Sequence, residues 1–154
     1  MSLDASMPIP QVSVYLDNRP GSLSEAMAQL DKNQIEVFAL TIAEAGEFGL
    51  IRLIVGEPAE ATKVLEDVDY NLAKSRRNTE VTAVFITEQN KLSKITKILA
   101  EGSINIEYAY SSAVHVEGKI ALILRASDIE NAEKILKANN VTVLSLSEIK
   151  KYFQ

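Results

Sequence analysis

The chain has 154 residues, 47% apolar and 24% charged, with no cysteine and a single histidine, His115. The apolar fraction supports a packed core and excludes global disorder, while the missing cysteines exclude disulfides, thiolate zinc sites and cysteine nucleophiles. Sixteen bases against 21 acids, net −5, argue against a surface built for nucleic-acid phosphate.

In chain order, Gln11–Leu16 reads as an apolar, β-branched strand. Ser22-Leu23-Ser24-Glu25 reads as a capping box, with the serine hydroxyl accepting from an early helix N–H and the glutamate reaching back. Leu23, Ala26, Met27 and Leu30 follow at helical spacing and give that helix one apolar face. Ile35–Ala43 and Gly49–Val55 read as strands joined by a hairpin at Ala45-Gly46-Glu47. Pro58 suits the first turn of a second helix, whose buried stripe is Ala61, Val64, Leu65 and Val68. A short strand near Tyr70–Ser75 closes the first half.

The second half repeats this order. Strands are predicted near Val81–Thr87, Ile104–Val114, Lys119–Arg125 and Val141–Leu146. Helices are predicted near Lys91–Glu101 and Asp128–Ala138, the second opened by a capping box at Ser127-Asp128-Ile129-Glu130. Glu117-Gly118 marks the hairpin turn, and Ser145-Leu146-Ser147-Glu148 caps a short terminal helix through Tyr152.

The two halves are copies. From Leu23 to Val37 the offset is constant at 69 residues, with identities at Leu23/Leu92, Ser24/Ser93, Leu30/Leu99 and Ile35/Ile104. Ala61, Lys63 and Leu65 recur as Ala132, Lys134 and Leu136, an offset of 71. A repeat of this length is a small domain rather than a solenoid unit. The expected division is 9–78, 79–146 and a tail at 147–154, with a short link near Arg76–Glu80. The expected fold class is α+β: two βαββαβ modules of ferredoxin-like type, each with an antiparallel sheet and both helices on one face, plus the short C-terminal helix. Exposed sheet edges favour pairing the modules side by side. Residues 9–78 carry 11 acids and 7 bases, and residues 79–146 carry 8 and 7, so neither copy is basic.

The segment Asp17-Asn18-Arg19-Pro20-Gly21-Ser22-Leu23 lies between the first strand and the first helix. Pro20 fixes φ, and Gly21 lets a ligand approach the backbone. The helix N-terminus beyond offers N–H groups suited to a carboxylate, and Asp17 and Asn18 offer acceptors for an ammonium group. A free amino acid carries both charges. The same residue types also make an ordinary strand-to-helix turn, and the residues alone leave both readings open.

Two βαββαβ copies with such a loop resemble a tandem ACT-domain protein, over nearly the whole span from Gln11 to Glu148. The resemblance to small stand-alone proteins of two ACT domains rests on Asn18-Arg19-Pro20-Gly21-Ser22-Leu23, on Phe48–Val55 and on Ile104-Asn105-Ile106-Glu107-Tyr108. It implies a regulatory module that binds a free amino acid between paired modules, the first loop of one facing the start of the second strand of its neighbour. It implies Asn18 and the backbone from Arg19 to Leu23 as ligand contacts, with Asp17 beside them. Asn is frequent in the family at the opening of the second strand; the first copy has Glu36 there and the second has Asn105, so Asn105 joins the candidate set. The second loop, Thr87-Glu88-Gln89-Asn90-Lys91-Leu92, lacks Pro-Gly and is one residue shorter, so one site per chain is expected. A homodimer is expected, together with a regulated protein partner of unknown identity.

Other features are weaker. His115 reads as a surface histidine, Lys74-Ser75-Arg76-Arg77 as a solvated edge, and Lys91, Lys94 and Lys97 with Glu101 as a solvated helix face. Tyr108 and Tyr110 share a strand face and either line the ligand site or pack at the module interface. RNA-recognition domains share the βαββαβ order, but Phe48-Gly49-Leu50-Ile51-Arg52-Leu53 lacks their stacking aromatics. No P-loop, dinucleotide loop or catalytic constellation is visible, so a non-catalytic protein without metal or cofactor is expected. A structural dimer whose ligand site has decayed is the competing reading. No apolar run approaches the roughly 18 residues that span a bilayer. Met1–Pro10 has no cationic region leading into an apolar stretch, so no membrane association is expected and a cytoplasmic location is. Met1-Ser2-Leu3, ahead of a second methionine at Met7, is set aside from the fold reading.

Overall fold

In a computed structural model of the chain, the residues described are 8–17, 19–45, 48–67, 71–72, 79–112 and 119–152. Their elements are β1 (Ile9–Pro10), β2 (Val12–Asp17), α1 (Ser22–Lys32), β3 (Val37–Ala45), β4 (Phe48–Val55), α2 (Pro58–Asp67), β5 (Asn71–Leu72), β6 (Glu80–Ile86), α3 (Leu92–Glu101), β7 (Ile106–Ser111), β8 (Ile120–Ala126), α4 (Ile129–Ala138), β9 (Val143–Leu144) and α5 (Leu146–Tyr152). The chain divides into two compact units, Pro10–Thr79 and Glu80–Gln154 with Met1–Ile9.

In the first unit the strand order is β3-β4-β2-β5, and each neighbouring pair is antiparallel. Period-two alternation sends Val12, Val14 and Leu16 of β2 and Ile51, Leu53 and Val55 of β4 to the face covered by helices. Ala26 and Leu30 of α1 and Ala61, Val64 and Leu65 of α2 close this core. Each large side chain buried there contributes about 1.5–3 kcal/mol. The hairpin strands meet with Ala45 opposite Phe48; Gly46, Glu47 and Val68 lie outside the described residues.

The second unit repeats the order as β7-β8-β6-β9. Ile95, Ile98 and Leu99 of α3 and Ala132 and Leu136 of α4 pack on Val84, Leu122 and Leu124. Both units are therefore ferredoxin-like α+β modules. β1 is an addition the sequence did not announce: it lies beside β6, on the edge that β9 also uses, because β8 holds the other. Two prolines around Ile9 hide it from strand patterning, although proline is tolerated at a sheet edge.

The copies match in backbone as well as sequence. α1 and α3 both end on a left-handed residue, Gln34 (φ 58°) and Ser103 (φ 60°), 69 positions apart. The next amide then reaches back five residues, Ile35 N–H to Leu30 O at 3.0 Å and Ile104 N–H to Leu99 O at 2.9 Å. Asn140 (φ 63°) ends α4 the same way, with Val141 N–H on Leu136 O at 3.0 Å. This helix stop satisfies a terminal carbonyl and turns the following apolar residue into the core.

Three local expectations need correction or refinement. The last strand was expected to run to Leu146, but it ends at Leu144 because Ser145 caps α5 and Leu146 is already helical. That cap is reciprocal: Glu148 N–H donates to Ser145 Oγ at 3.2 Å, and Ser145 N–H donates to Glu148 Oε1 at 2.9 Å. Ahead of α4, Asp128 rather than Ser127 is the cap, accepting from Asn131 N–H at 3.2 Å. Of the strands expected at Tyr70–Ser75 and Ile104–Val114, Asn71–Leu72 and Ile106–Ser111 are observed; the second begins at Ile106 and not at Ile104, because the Ile104 N–H is taken by Leu99 O at the end of α3, and residues 70, 73–75, 113 and 114 lie outside the described set. The Glu117-Gly118 turn and most of the inter-module link lie outside it too. α5 lies on the face of the second sheet opposite α3 and α4, with Tyr152 edge-on to Phe85 at 5.2 Å and Ile149 buried.

Candidate functional site

The first loop leaves β2 at Asp17 and enters α1 at Ser22. Asn18 lies outside the described residues. Gly21 sits at φ 90°, a conformation glycine adopts without penalty, and occupies the N-cap position. This corrects the expected capping box. A left-handed Gly21 starts the helix one residue early, so Ser22 is its first helical residue and α1 has no side-chain cap. Glu25 does not reach back to a backbone amide; its carboxylate takes the Arg19 guanidinium, Nη2 to Oε2 at 3.0 Å and Nη1 to Oε1 at 3.4 Å.

Two polar features result. The first helical hydrogen bond is Glu25 N–H to Gly21 O at 2.9 Å, so the Leu23 and Ser24 amides have no acceptor within the helix. Ser22 is 5% exposed, and its Oγ has no hydrogen-bond partner among the described residues. A buried hydroxyl without a partner costs about 1–3 kcal/mol, which an incoming acceptor or donor would recover. The helix end adds a partial positive charge. Arg19, Pro20 and Gly21 are exposed around it, and Arg19 Nε also stands 3.9 Å from Asp17 Oδ2. The structure thus brings Asp17 and Arg19–Leu23 together in one loop.

The second loop is closed by its own side chains. Thr87 N–H donates to Asn90 O at 3.1 Å, and Asn90 N–H donates to Thr87 Oγ1 at 3.0 Å. The Asn90 amide is used at both ends: Nδ2 donates to Asn140 O at 3.0 Å, and Oδ1 accepts from Lys94 Nζ at 2.7 Å. Lys94 stands 69 residues after Glu25, so the brace between loop and helix recurs with its charge reversed. The Lys94 contact corrects its expected place on a purely solvated face; Lys91 and Lys97 are exposed.

Asn105 belongs to the second unit and immediately precedes β7. Its side chain is exposed while its backbone is held: N–H donates to Ser127 Oγ at 3.0 Å, and O accepts from Ser127 N–H at 2.9 Å. Tyr108 and Tyr110 are half-buried and lie opposite Arg125 and Ile123, on the sheet face away from α3 and α4. His115 and residues 74–77 lie outside the described residues. An open groove of about 860 Å³ runs along α1 past Ser24, Met27, Asp31 and Val37, but none of Asp17–Leu23 lines it.

Sequence reasoning missed a polar row and a buried acid. Ser13, Arg52 and Thr41 are in register across β2, β4 and β3, on the face away from the helices. The alternation Val12-Ser13-Val14-Tyr15 carried that signal. Glu133 is 5% exposed on α4, and its signal was a glutamate inside the apolar stripe Ile129, Ala132, Leu136.

Comparison with known proteins agrees with this architecture. The family model described as an ACT domain pair matches residues 7–152. The crystal structure of protein BT0572 from Bacteroides thetaiotaomicron is similar at 30% identity and TM-score 0.81, covering 93% of this chain and 96% of that one. The regulatory subunit of aspartate kinase from Thermus thermophilus, in a ligand-free form, shares the fold at 18% identity and TM-score 0.57, covering 83% and 90%. No curated protein sequence matches the chain. Two ferredoxin-like modules in tandem, matched end to end by one family model, settle the assignment: this chain belongs to the ACT domain pair family.

Proposed function

We propose that the protein is a non-catalytic regulatory module that binds a free amino acid at the first loop, one ligand per chain. The observation that carries this reading is the start of α1, where two amides without helical acceptors adjoin the buried Ser22 hydroxyl, which has no partner among the described residues. These groups suit a carboxylate. Asp17 and Asn18 supply acceptors for the ammonium group, and Asn105 is the second-module residue assigned to the ligand. The second loop takes no ligand, because Lys94 and Asn140 already use the Asn90 amide. A ligand that favours one arrangement of the modules over another transmits its presence to a partner protein by that difference in affinity.

Thermal denaturation against each standard amino acid tests the proposal. A true ligand at 100 times its Kd adds about 2.7 kcal/mol of stability. Asn18→Ala removes the shift at an unchanged unliganded Tm, and Gly21→Val, strained at φ 90°, removes it at a lowered unliganded Tm while the fold persists. No shift with any amino acid refutes ligand binding.

A second reading, an interaction dimer without a ligand site, is favoured by one observation. The outer edge of β3, nine residues long, joins no described strand, and Ile42 on it is 52% exposed. An apolar edge of that length calls for a cover. Sedimentation at the monomer mass of 16.9 kDa rejects a homodimer.

A further inference from the structure

Among the residues whose burial is described, the second unit holds the one buried carboxylate. Glu133 on α4 points its Oε2 at Thr82 of β6, whose hydroxyl donates to it at 2.9 Å. No ion pair among the described residues involves Glu133. Two charged groups act on it with opposite sign, Lys137 one turn along α4 and Glu80 at the start of β6. The other elements packed on α4 present apolar side chains to this core: Leu124 and Ala126 of β8, Val143 of β9, Ile98 and Leu99 of α3. Arg125 of β8 is engaged elsewhere, with Glu107 at 3.4 Å and with Glu80 O at 2.8 Å, and Lys94 of α3 is held by Asn90. At the equivalent places in the first unit stand Val12 and Thr62, and Thr62 turns its hydroxyl back to Pro58 O at 2.9 Å.

A carboxylate buried between a helix and a sheet, with one hydroxyl and no ion pair, favours its neutral form over its ionised one. We propose that Glu133 is a proton-operated latch between α4 and β6, which seats α4 when the carboxyl is protonated and loosens it, in the second module alone, when the proton leaves.

The sign follows from linkage. Burial raises the Glu133 carboxyl above the ordinary value of 4.5, against the opposing pull of the Thr82 hydrogen bond and Lys137. With α4 lifted, the group ionises near that ordinary value. Below it both forms hold the proton and the latch is at full strength. Between the lifted and the seated values, lifting releases a proton, so the opening constant rises by at most about tenfold per pH unit. Above the seated value both forms are ionised, and α4 stays at its loosest.

Hydrogen exchange of the full chain from about pH 4 to about pH 7.5, corrected for intrinsic rates, reads this directly. Protection of the α4 amides should fall with rising pH and then level, while α2 holds constant. In Glu133→Gln the α4 profile should be flat. Thr82→Val, which removes the hydrogen bond favouring the anion, should leave the onset of the fall in place and carry its levelling point to higher pH. The carbon-13 shift of the Glu133 carboxyl in the unaltered protein gives its midpoint without any variant. A parallel fall in α2, a fall that persists in Glu133→Gln, or a carboxyl that titrates at the ordinary value overturns the proposal.

Discussion

Arg19 and Glu25 lock together through two hydrogen bonds, 3.0 and 3.4 Å, that tie the first loop to the first turns of α1. At the equivalent place in the second module, Lys94 ties its loop to Asn90 instead. Both modules brace the loop from the same helical position, and both helices begin with two amides that have no helical acceptor; the first adds the buried Ser22 hydroxyl, which has no partner among the described residues.

Breaking this brace should separate binding from stability. Both side chains of the pair are about half exposed, 52% and 56%, so the pair is screened by water. Arg19→Ala and Glu25→Ala should each cost less than about 1 kcal/mol of stability. Glu25→Lys, which imitates the second module, should abolish the amino-acid thermal shift at near-unchanged unliganded Tm. Retained binding in Glu25→Lys would show that the brace does not shape the site.

The left-handed helix stops predict gains rather than losses. Gln34 and Ser103 adopt a backbone conformation that costs a non-glycine residue roughly 1–2 kcal/mol. Gln34→Gly and Ser103→Gly should therefore each stabilise the protein, by about 0.5–1 kcal/mol after the added unfolded-state entropy of glycine. Denaturant titration checks this. A loss of stability on Ser103→Gly would mean the serine side chain contributes more than its backbone strain.

These stops also show what the sequence made legible. Periodicity in Leu23, Ala26, Met27 and Leu30 and the offset to Leu92 and Leu99 identified modules, helices and core, because burial enforces those patterns. Hydrogen bonds with several competing acceptors were less readable. Ser22 and Ser127 both matched a cap motif, yet Gly21 and Asp128 took the cap position, because a one-residue change in where the helix starts moves the hydroxyl out of reach. The closure of the second loop was invisible for a similar reason: Asn140 is 50 residues from Asn90, and no local pattern joins them.

Ser127 offers a separate test of Asn105. Its hydroxyl and amide hold the Asn105 backbone on both sides. Ser127→Ala removes the bond from Asn105 N–H and should cost about 0.5–1.5 kcal/mol. Exchange of the Asn105 amide should accelerate, and amino-acid affinity should weaken in step with Asn105→Ala. Loss of stability without any change in affinity would remove Asn105 from the site.

The terminal capping box makes a prediction about α5 alone. Ser145→Ala and Glu148→Ala each delete one half of the reciprocal cap and should cost about 1 kcal/mol. The readout is fluorescence or ring-proton shifts of Tyr152, which packs against Phe85. An unchanged Tyr152 environment in both variants would mean that Ile149 and the ring contact hold α5 without its cap.

The two loops differ: the second is closed through Thr87, Asn90 and Lys94, and the first leaves the Ser22 hydroxyl without a partner among the described residues. Isothermal titration of the full chain with the amino acid that raises Tm measures this difference most directly, through the number of ligands bound. The expected result is one ligand per chain, lost in Asn18→Ala and retained in Asn90→Ala. Two ligands per chain, or a single ligand that survives Asn18→Ala and disappears in Asn90→Ala, would contradict it.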